Sequence, residues 1–329
     1  MTALAALPRA RAALVVHPER RSLLARAREA ATRLQEASLG ELETRGDGDD
    51  EARVRHLAIE TGAKVVVAAG GDGTVALVAG ALLALPEDRR PDLAILALGT
   101  ANNVARSYGL GSVRKHGASA VERTLRSLDG GGTRPLDVGM AGGRPFVGAF
   151  TIGMDANVLS RRNALRRRHP LGERLGGYPL YLASCVAEAL VHRSVEAEIE
   201  IDDERACQPL YNLLVTTCPV YAGEFRFEGA EDPPYGRLGL QIHAHAASYL
   251  SAYVAGWRRH VGHVRGREIT ASPSLRPSQT VRVCLDAPAP AQADGEELAP
   301  NQEWSIDLRP GALRIRVPRP LGGPTRKRG

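Results

Sequence analysis

The chain has 329 residues, 43 % of them apolar and 24 % charged, which is enough apolar material for two cores and excludes a wholly disordered chain. Aromatic residues make up only 4 %, too few for a platform on which single-stranded nucleic acid stacks its bases. A formal net charge of +6 favours polyanionic partners such as nucleotides or an anionic membrane, or else records arginines that solvate helix faces.

In chain order, Ala12 to Val16 is a compact apolar run halted by His17-Pro18, and an arginine-rich helical stretch follows to about Ala37. Gly46 to Asp50 is a polar loop. Glu51 to Thr61 reads as a helix, Lys64 to Ala69 as a buried strand and Val75 to Leu85 as an apolar helix. Leu93 to Leu98 is another strand, and Asn103 to Tyr108 opens another helix. Strand, turn, helix and strand in this order predict βα units, a parallel sheet, and ligands at the carboxyl ends of its strands.

The pattern changes near Gly130-Gly131-Gly132. Beyond Leu136 short candidate strands dominate: Arg144 to Ile152, Val195 to Ile201, Tyr211 to Thr217, Leu238 to His243, Val281 to Leu285, Trp304 to Leu308 and Leu313 to Val317. Gly, Pro and Asp turns separate them, which predicts a β-rich, sandwich-like second domain interrupted by one helix from about Tyr178 to His192. The expected domains are 1–135 and 136–318, with 319–329 a basic, disordered tail. The four cysteines form no C-x-x-C pair, so no zinc site is expected. The N-terminus lacks a signal-peptide pattern, and no apolar run reaches the roughly 18 residues of a bilayer span. The expectation is a cytoplasmic protein with reduced thiols.

Two loops carry chemistry. In KVVVAAGGDGTVALVAG a buried strand runs through Gly70-Gly71-Asp72-Gly73-Thr74 directly into a helix. Glycines let the backbone approach an anion, and the helix start offers free N–H groups. Asp72 beside phosphates implies a bridging Mg²⁺ or a proton acceptor; the plainer reading is a turn, or a helix cap by Asp72 or Thr74. In LAILALGTANNVARSYGL the turn Gly99-Thr100 again follows a buried strand, with Asn102 and Asn103 before a helix. Two such turns on consecutive strands would face one crevice. Asp294-Gly295-Glu296 reads as a hairpin turn, or as the source of the general base a kinase needs. Arg161, Arg162, Arg166, Arg167, Arg168 and Arg174 form a cationic stretch that either meets anionic headgroups or is a solvated loop.

The ordered set GGDGT, GTANN-x-AR, LDVG, F-x-x-x-x-x-I-G, Y-A-G and DGE resembles the diacylglycerol kinase catalytic-domain family, in particular its soluble bacterial lipid kinases and the sphingosine and ceramide kinases. The resemblance runs from about Ala12 to Pro318; GGDGT alone is shared with NAD kinases and phosphofructokinases. It implies an α/β N-terminal domain like theirs, a β-rich C-terminal domain, ATP with Mg²⁺, and a diacylglycerol-like or sphingoid membrane lipid as acceptor in phospholipid metabolism. It also implies a peripheral place at the inner membrane face and no nucleic-acid partner, and leaves the oligomeric state open. Carried over by position, Gly70, Gly71, Asp72, Gly73 and Thr74 would hold the phosphates, with Thr44, Gly99, Thr100, Asn102 and Asn103 around the nucleotide. Glu296 would deprotonate the lipid hydroxyl, with Asp72 as its polar partner. The chain departs from the family at His17, Ala76-Leu77, Asn103 and Pro234-Tyr235, the last where some members hold a structural Mg²⁺. A catalytically weak nucleotide-binding protein on the same fold is the alternative these departures imply.

Overall fold

The computed structural model describes residues 11–20, 22–23, 28–129, 131–168, 177–223, 225–227, 233, 236–264 and 276–318. Arg174, Pro234-Tyr235 and the tail from residue 319 lie outside the described residues. The chain forms two compact units, one made of the residues up to Leu136 and those from Ala312 on, the other of Asp137–Gly311.

Unit one alternates strands and helices: β1 (Ala12–Val16), α1 (Arg28–Glu36), β2 (Ser38–Glu43), α2 (Asp50–Thr61), β3 (Val65–Gly70), α3 (Asp72–Leu83), β4 (Asp92–Ala97), α4 (Asn103–Ser107), α5 (Val113–His116) and α6 (Ala118–Leu128). The strands are parallel in the order β4-β3-β1-β2. Every residue of β1, β3 and β4 is buried, as expected for strands covered on both faces. Helix α3 is apolar on nearly every side and is largely buried. Leu14, Val67 and Leu96 pack with Val121 and Leu125 of α6 in one core. Edge strand β2 alternates half-buried and exposed residues and was not anticipated; SLGELE is too polar and glycine-weakened to read as a strand until β1 pairs with it.

Unit two takes over within β5 (Gly132–Ala141) and contains β6 (Arg144–Phe146), β7 (Ala149–Gly153), α7 (Met154–Arg168), α8 (Gly177–Val191), β8 (Val195–Ile201), β9 (Glu204–Leu210), β10 (Asn212–Thr216), β11 (Val220–Tyr221), β12 (Phe225–Arg226), β13 (Leu238–His243), α9 (Ala246–Val264), β14 (Arg276–Ser278), β15 (Thr280–Ala293) and β16 (Glu296–Val317). Its pairings are antiparallel, along the path β14-β13-β10-β7-β15-β16 with β8 and β9 continuing from β15. The β15/β16 hairpin is the spine. Register shifts between Cys284 and Ala291 let β15 pair with β8 at one end and β7 at the other. Phe146, Phe150, Ile152, Leu213, Val283 and Trp304 fill the core, with the Phe150 and Trp304 rings 5.1 Å apart.

Three expectations are corrected. The single helix of the second domain is joined by α7 and α9. In α7 the dense arginines mask the apolar period, and α9 mixes aromatic and apolar residues so evenly that no face stands out by pattern. The separate strands Trp304 to Leu308 and Leu313 to Val317 are one strand, β16, crossing Pro310-Gly311 with Gly311 at φ 56°. The second unit therefore stops at Gly311 rather than 318. From Ala312 the chain returns to unit one, where Ile315 pairs parallel with Leu93, Arg314 Nε donates to Asp92 at 2.7 Å and Arg90 donates to the Ala312 carbonyl at 3.1 Å.

Candidate functional site

Registry brings the loops of unit one to one edge. Val16 lies opposite both Ala69 and Glu43, and Gly70 opposite Ala97. Residues 17, 44, 71 and 98 thus each stand one step past a strand end, along the carboxyl edge of the parallel sheet. The backbone continues the ladder there: His17 N donates to Ala69 O at 3.1 Å, Thr44 N to Val16 O at 3.0 Å, and Leu98 N to Gly70 O at 2.8 Å. Thr44 is buried. Its loop is tied by Asp50, whose carboxylate accepts from Gly46 N at 2.7 Å and Arg45 N at 3.0 Å.

The two glycine loops touch. A Cβ on Gly99 would lie 2.5 Å from Gly71 Cα and 2.8 Å from Asn102 Oδ1, and one on Gly70 would lie 2.1 Å from Thr74 Oγ1. Glycine at 70 and 99 is therefore a packing requirement. Asn102 sits in the left-handed region at φ 53°, which Asn tolerates better than most side chains. Its Nδ2 donates to Gly99 O at 2.9 Å, and its buried Oδ1 has no hydrogen-bond partner. At the neighbouring end of β1, His17 Nδ1 is likewise buried without one.

Asp72 joins the loops. It lies in the first turn of α3, and its Oδ1 accepts from Val104 N at 3.4 Å. The helix start it serves is therefore that of α4, in addition to the partial charge of its own helix. Burial raises its pKa, opposed by the N–H groups of Val104, Asn103 and Asn102 and by the charge of Arg106. Thr100 is exposed and its Oγ1 accepts from Arg114 Nη1 at 3.1 Å. Arg114 was missed in the sequence. It reaches this edge because Ser112 bridges to Ala97, the last residue of β4, and so starts α5 there.

The DGE segment is a two-residue hairpin between Ala293 and Glu296, with Asp294 at φ 50° and Gly295 at φ 89°, the type I′ pattern that fits strand twist. Asp294 is 9 % exposed. Its carboxylate accepts from Val147 N at 2.7 Å, Gly148 N at 2.8 Å and Ala149 N at 2.8 Å. Glu296 is different: its side chain is 56 % exposed, 4.0 Å from Arg144.

A second polar group in unit two had no sequence signal. Asp155, at the start of α7, accepts from Tyr249 Oη at 2.7 Å and from Asn212 Nδ2 at 3.0 Å. Burial, and then the charge of Asp155, push the Tyr181, Tyr221 and Tyr249 hydroxyls up. Met154, Val158 and Tyr211 supply the apolar surroundings.

Among the described residues no group of three or more His, Cys, Asp or Glu is arranged to hold a metal ion. Mg²⁺ does not need such a cage, since one or two carboxylates with substrate phosphates suffice. Asp72, beside the α3 N-terminus, fits that limited role.

Residues 12–141 match the family described as diacylglycerol kinase catalytic domain. Curated relatives carry the name "Probable lipid kinase YegS-like": one from Chromohalobacter salexigens is 30 % identical over 198 residues, covering 60 % of this chain and 58 % of its own length. One from Stenotrophomonas maltophilia is 33 % identical over 149 residues, covering 40 % and 48 %, and one from Yersinia enterocolitica is 59 % identical over 54 residues, covering 16 % and 17 %. The matched stretch thus spans little more than half of the first relative. A solved diacylglycerol kinase from Bacillus anthracis str. Sterne superimposes with a TM-score of 0.66 at 18 % identity, covering 93 % of this chain and 96 % of its own; the likeness is one of fold. The matched stretch contains the glycine loops, Asp72, Thr44 and Arg114, whereas Asp155, Asp294 and Glu296 lie beyond it.

Proposed function

We propose that the chain is an ATP-dependent kinase that transfers the γ-phosphoryl group to a hydroxyl of a diacylglycerol-like or sphingoid lipid. The observation that carries the reading is the contact of the two glycine loops at one sheet edge, with Asp72 bonded across them. The N–H groups at the start of α3 and of the Gly70-Gly71 turn receive the β- and γ-phosphates. Thr44, Thr100 and Asn102 border the nucleotide, and Arg114 adds a guanidinium for a phosphate oxygen. A bound Mg²⁺ would neutralise phosphate charge, with Asp72 its ligand from this chain. The lipid hydroxyl oxygen bonds to the γ-phosphorus as the bond to the β–γ bridging oxygen breaks. ADP leaves, and Glu296 takes the hydroxyl proton. Asp155 with its tyrosines is the polar group in unit two suited to bind the polar head of the acceptor.

The test is transfer of labelled γ-phosphate from Mg-ATP into an extracted lipid mixture by the wild type, Asp72→Asn and Glu296→Gln. Labelling by the wild type, with both variants at least about 100-fold slower while folded, is the expected result. ATP that raises the melting temperature without labelling any lipid would instead select a binding protein on a kinase fold, in line with the prior engagement of Asp72 by α4.

A further inference from the structure

The DGE hairpin is fastened unequally on its two arms. The β15 arm is fixed by buried groups: Gln292 Nε2 donates to Thr151 Oγ1 at 3.0 Å and its Oε1 accepts from Gly295 N at 2.7 Å, while Asp294 holds the N–H groups of Val147, Gly148 and Ala149. The β16 arm keeps register with β15 from Glu296 to Leu298, and the ladder shifts just beyond. A cavity of ≈ 300 Å³ opens there, between Ser160 of α7 and Pro290, Leu298, Ala299 and Pro300 of the hairpin. Packing therefore leaves this flank of the arm room to move.

A polar chain spans the gap to α7. Glu297 Oε1 accepts from Asn163 Nδ2 at 2.9 Å, and Arg167 Nη1 stands 4.0 Å from Oε2. Asn163 is itself oriented, because its Oδ1 accepts from Arg162 Nη2 at 3.0 Å and Nε at 3.3 Å. A guanidinium can only donate, so the amide carbonyl faces Arg162 and the amide nitrogen faces the carboxylate. Two arginines of the cationic stretch thereby acquire a local task. We infer that Glu297 is a positioning residue: by tying the β16 arm to α7 through Asn163, it sets where the adjacent Glu296 carboxylate stands. The inference rests on the kinase reading, in which Glu296 takes the hydroxyl proton. Proton transfer needs heavy atoms within about 2.6–3.2 Å, and a displacement of about 1 Å can cost about 100-fold in rate. The Glu297 side chain is 31 % exposed, so its ion pair adds little to folding. A tie too weak to matter for stability can still matter for rate.

The test is lipid phosphorylation from Mg-ATP by the full chain, with hydrogen exchange of the hairpin amides measured alongside. Glu297→Ala and Asn163→Ala should each lower kcat about tenfold, with the KM for ATP within about twofold and the melting temperature nearly unchanged. The double variant should be no slower than either single one, since both remove the same bond. Glu297→Gln keeps an acceptor for Asn163 Nδ2 and should recover kcat to within about threefold of the wild type. Amides from Glu296 to Leu298 should exchange faster in Glu297→Ala than in the wild type or Glu297→Gln. Wild-type rates in Glu297→Ala, or losses that add in the double variant, overturn the inference and leave the kinase reading intact. Unchanged exchange in Glu297→Ala overturns it too, because the tie would then hold nothing. A wild type that phosphorylates no lipid removes the kinase reading, and the positioning role with it.

Discussion

The two carboxylates of the DGE hairpin stand in opposite surroundings, and substitution separates them. Asp294 accepts three backbone N–H groups at 2.7–2.8 Å while 9 % exposed. Asp294→Ala leaves those donors buried and unpaired, and places Ala at φ 50°. Each charge-assisted bond is worth about 1.5–3 kcal/mol, but a vacated site partly relaxes. We therefore expect a loss of about 3–5 kcal/mol, with about 1 kcal/mol of it left-handed strain. Asn tolerates the conformation and keeps one acceptor, so Asp294→Asn should cost about 1–3 kcal/mol. Glu296→Gln acts on a side chain that is 56 % exposed with Arg144 4.0 Å away, and should stay within about 0.5 kcal/mol. Urea unfolding monitors this directly: at a slope of about 3 kcal/mol/M, Asp294→Ala moves the midpoint down by about 1–2 M and Glu296→Gln hardly moves it. Phosphate transfer should fail in Glu296→Gln at full stability. An Asp294→Ala midpoint within about 0.2 M of the wild type would refute the structural role.

Asp72→Asn should be at least as stable as the wild type near neutral pH. The folded pKa is raised by burial, so ionisation destabilises the fold above that pKa, and the penalty vanishes below the unfolded value of 3.8. Melting curves across pH should show the advantage of Asn shrinking as pH falls toward about 4, with activity lost throughout. Gly99→Ala drives a Cβ to 2.5 Å from Gly71 Cα; about 1–3 kcal/mol of strain is expected, with ATP binding by calorimetry weakened at least about tenfold. Arg114→Ala removes the exposed guanidinium 3.1 Å from Thr100 Oγ1, and should raise the KM for ATP about fivefold with kcat little changed.

Much of the glycine-loop edge was legible because it is local in sequence. The strands Ala12–Val16, Val65–Gly70 and Asp92–Ala97 are short apolar runs ended by Pro or Gly, and a strand ended by Gly-Gly before an apolar helix leaves few other conformations. The Asp294-Gly295 turn was readable for the same reason, since two left-handed residues in a row demand that pair. Other features were not. Strand β2 is polar along its exposed face, and Arg114 comes to Thr100 only through the bridge of Ser112 to Ala97. Asp155 becomes notable only when Tyr249 of α9 and Asn212 of β10 close on it.

By itself, then, the amino-acid order determined the parallel βα half, the positions of its glycine turns and the β-rich character of the second half, because each rests on periodicity or turn chemistry within a few residues. Tertiary structure alone decided which loops share an edge, that Asp72 serves the helix after the other loop, and that Asp294 is structural while Glu296 is exposed. Those outcomes depend on strand register and on long-range partners, which no local pattern encodes.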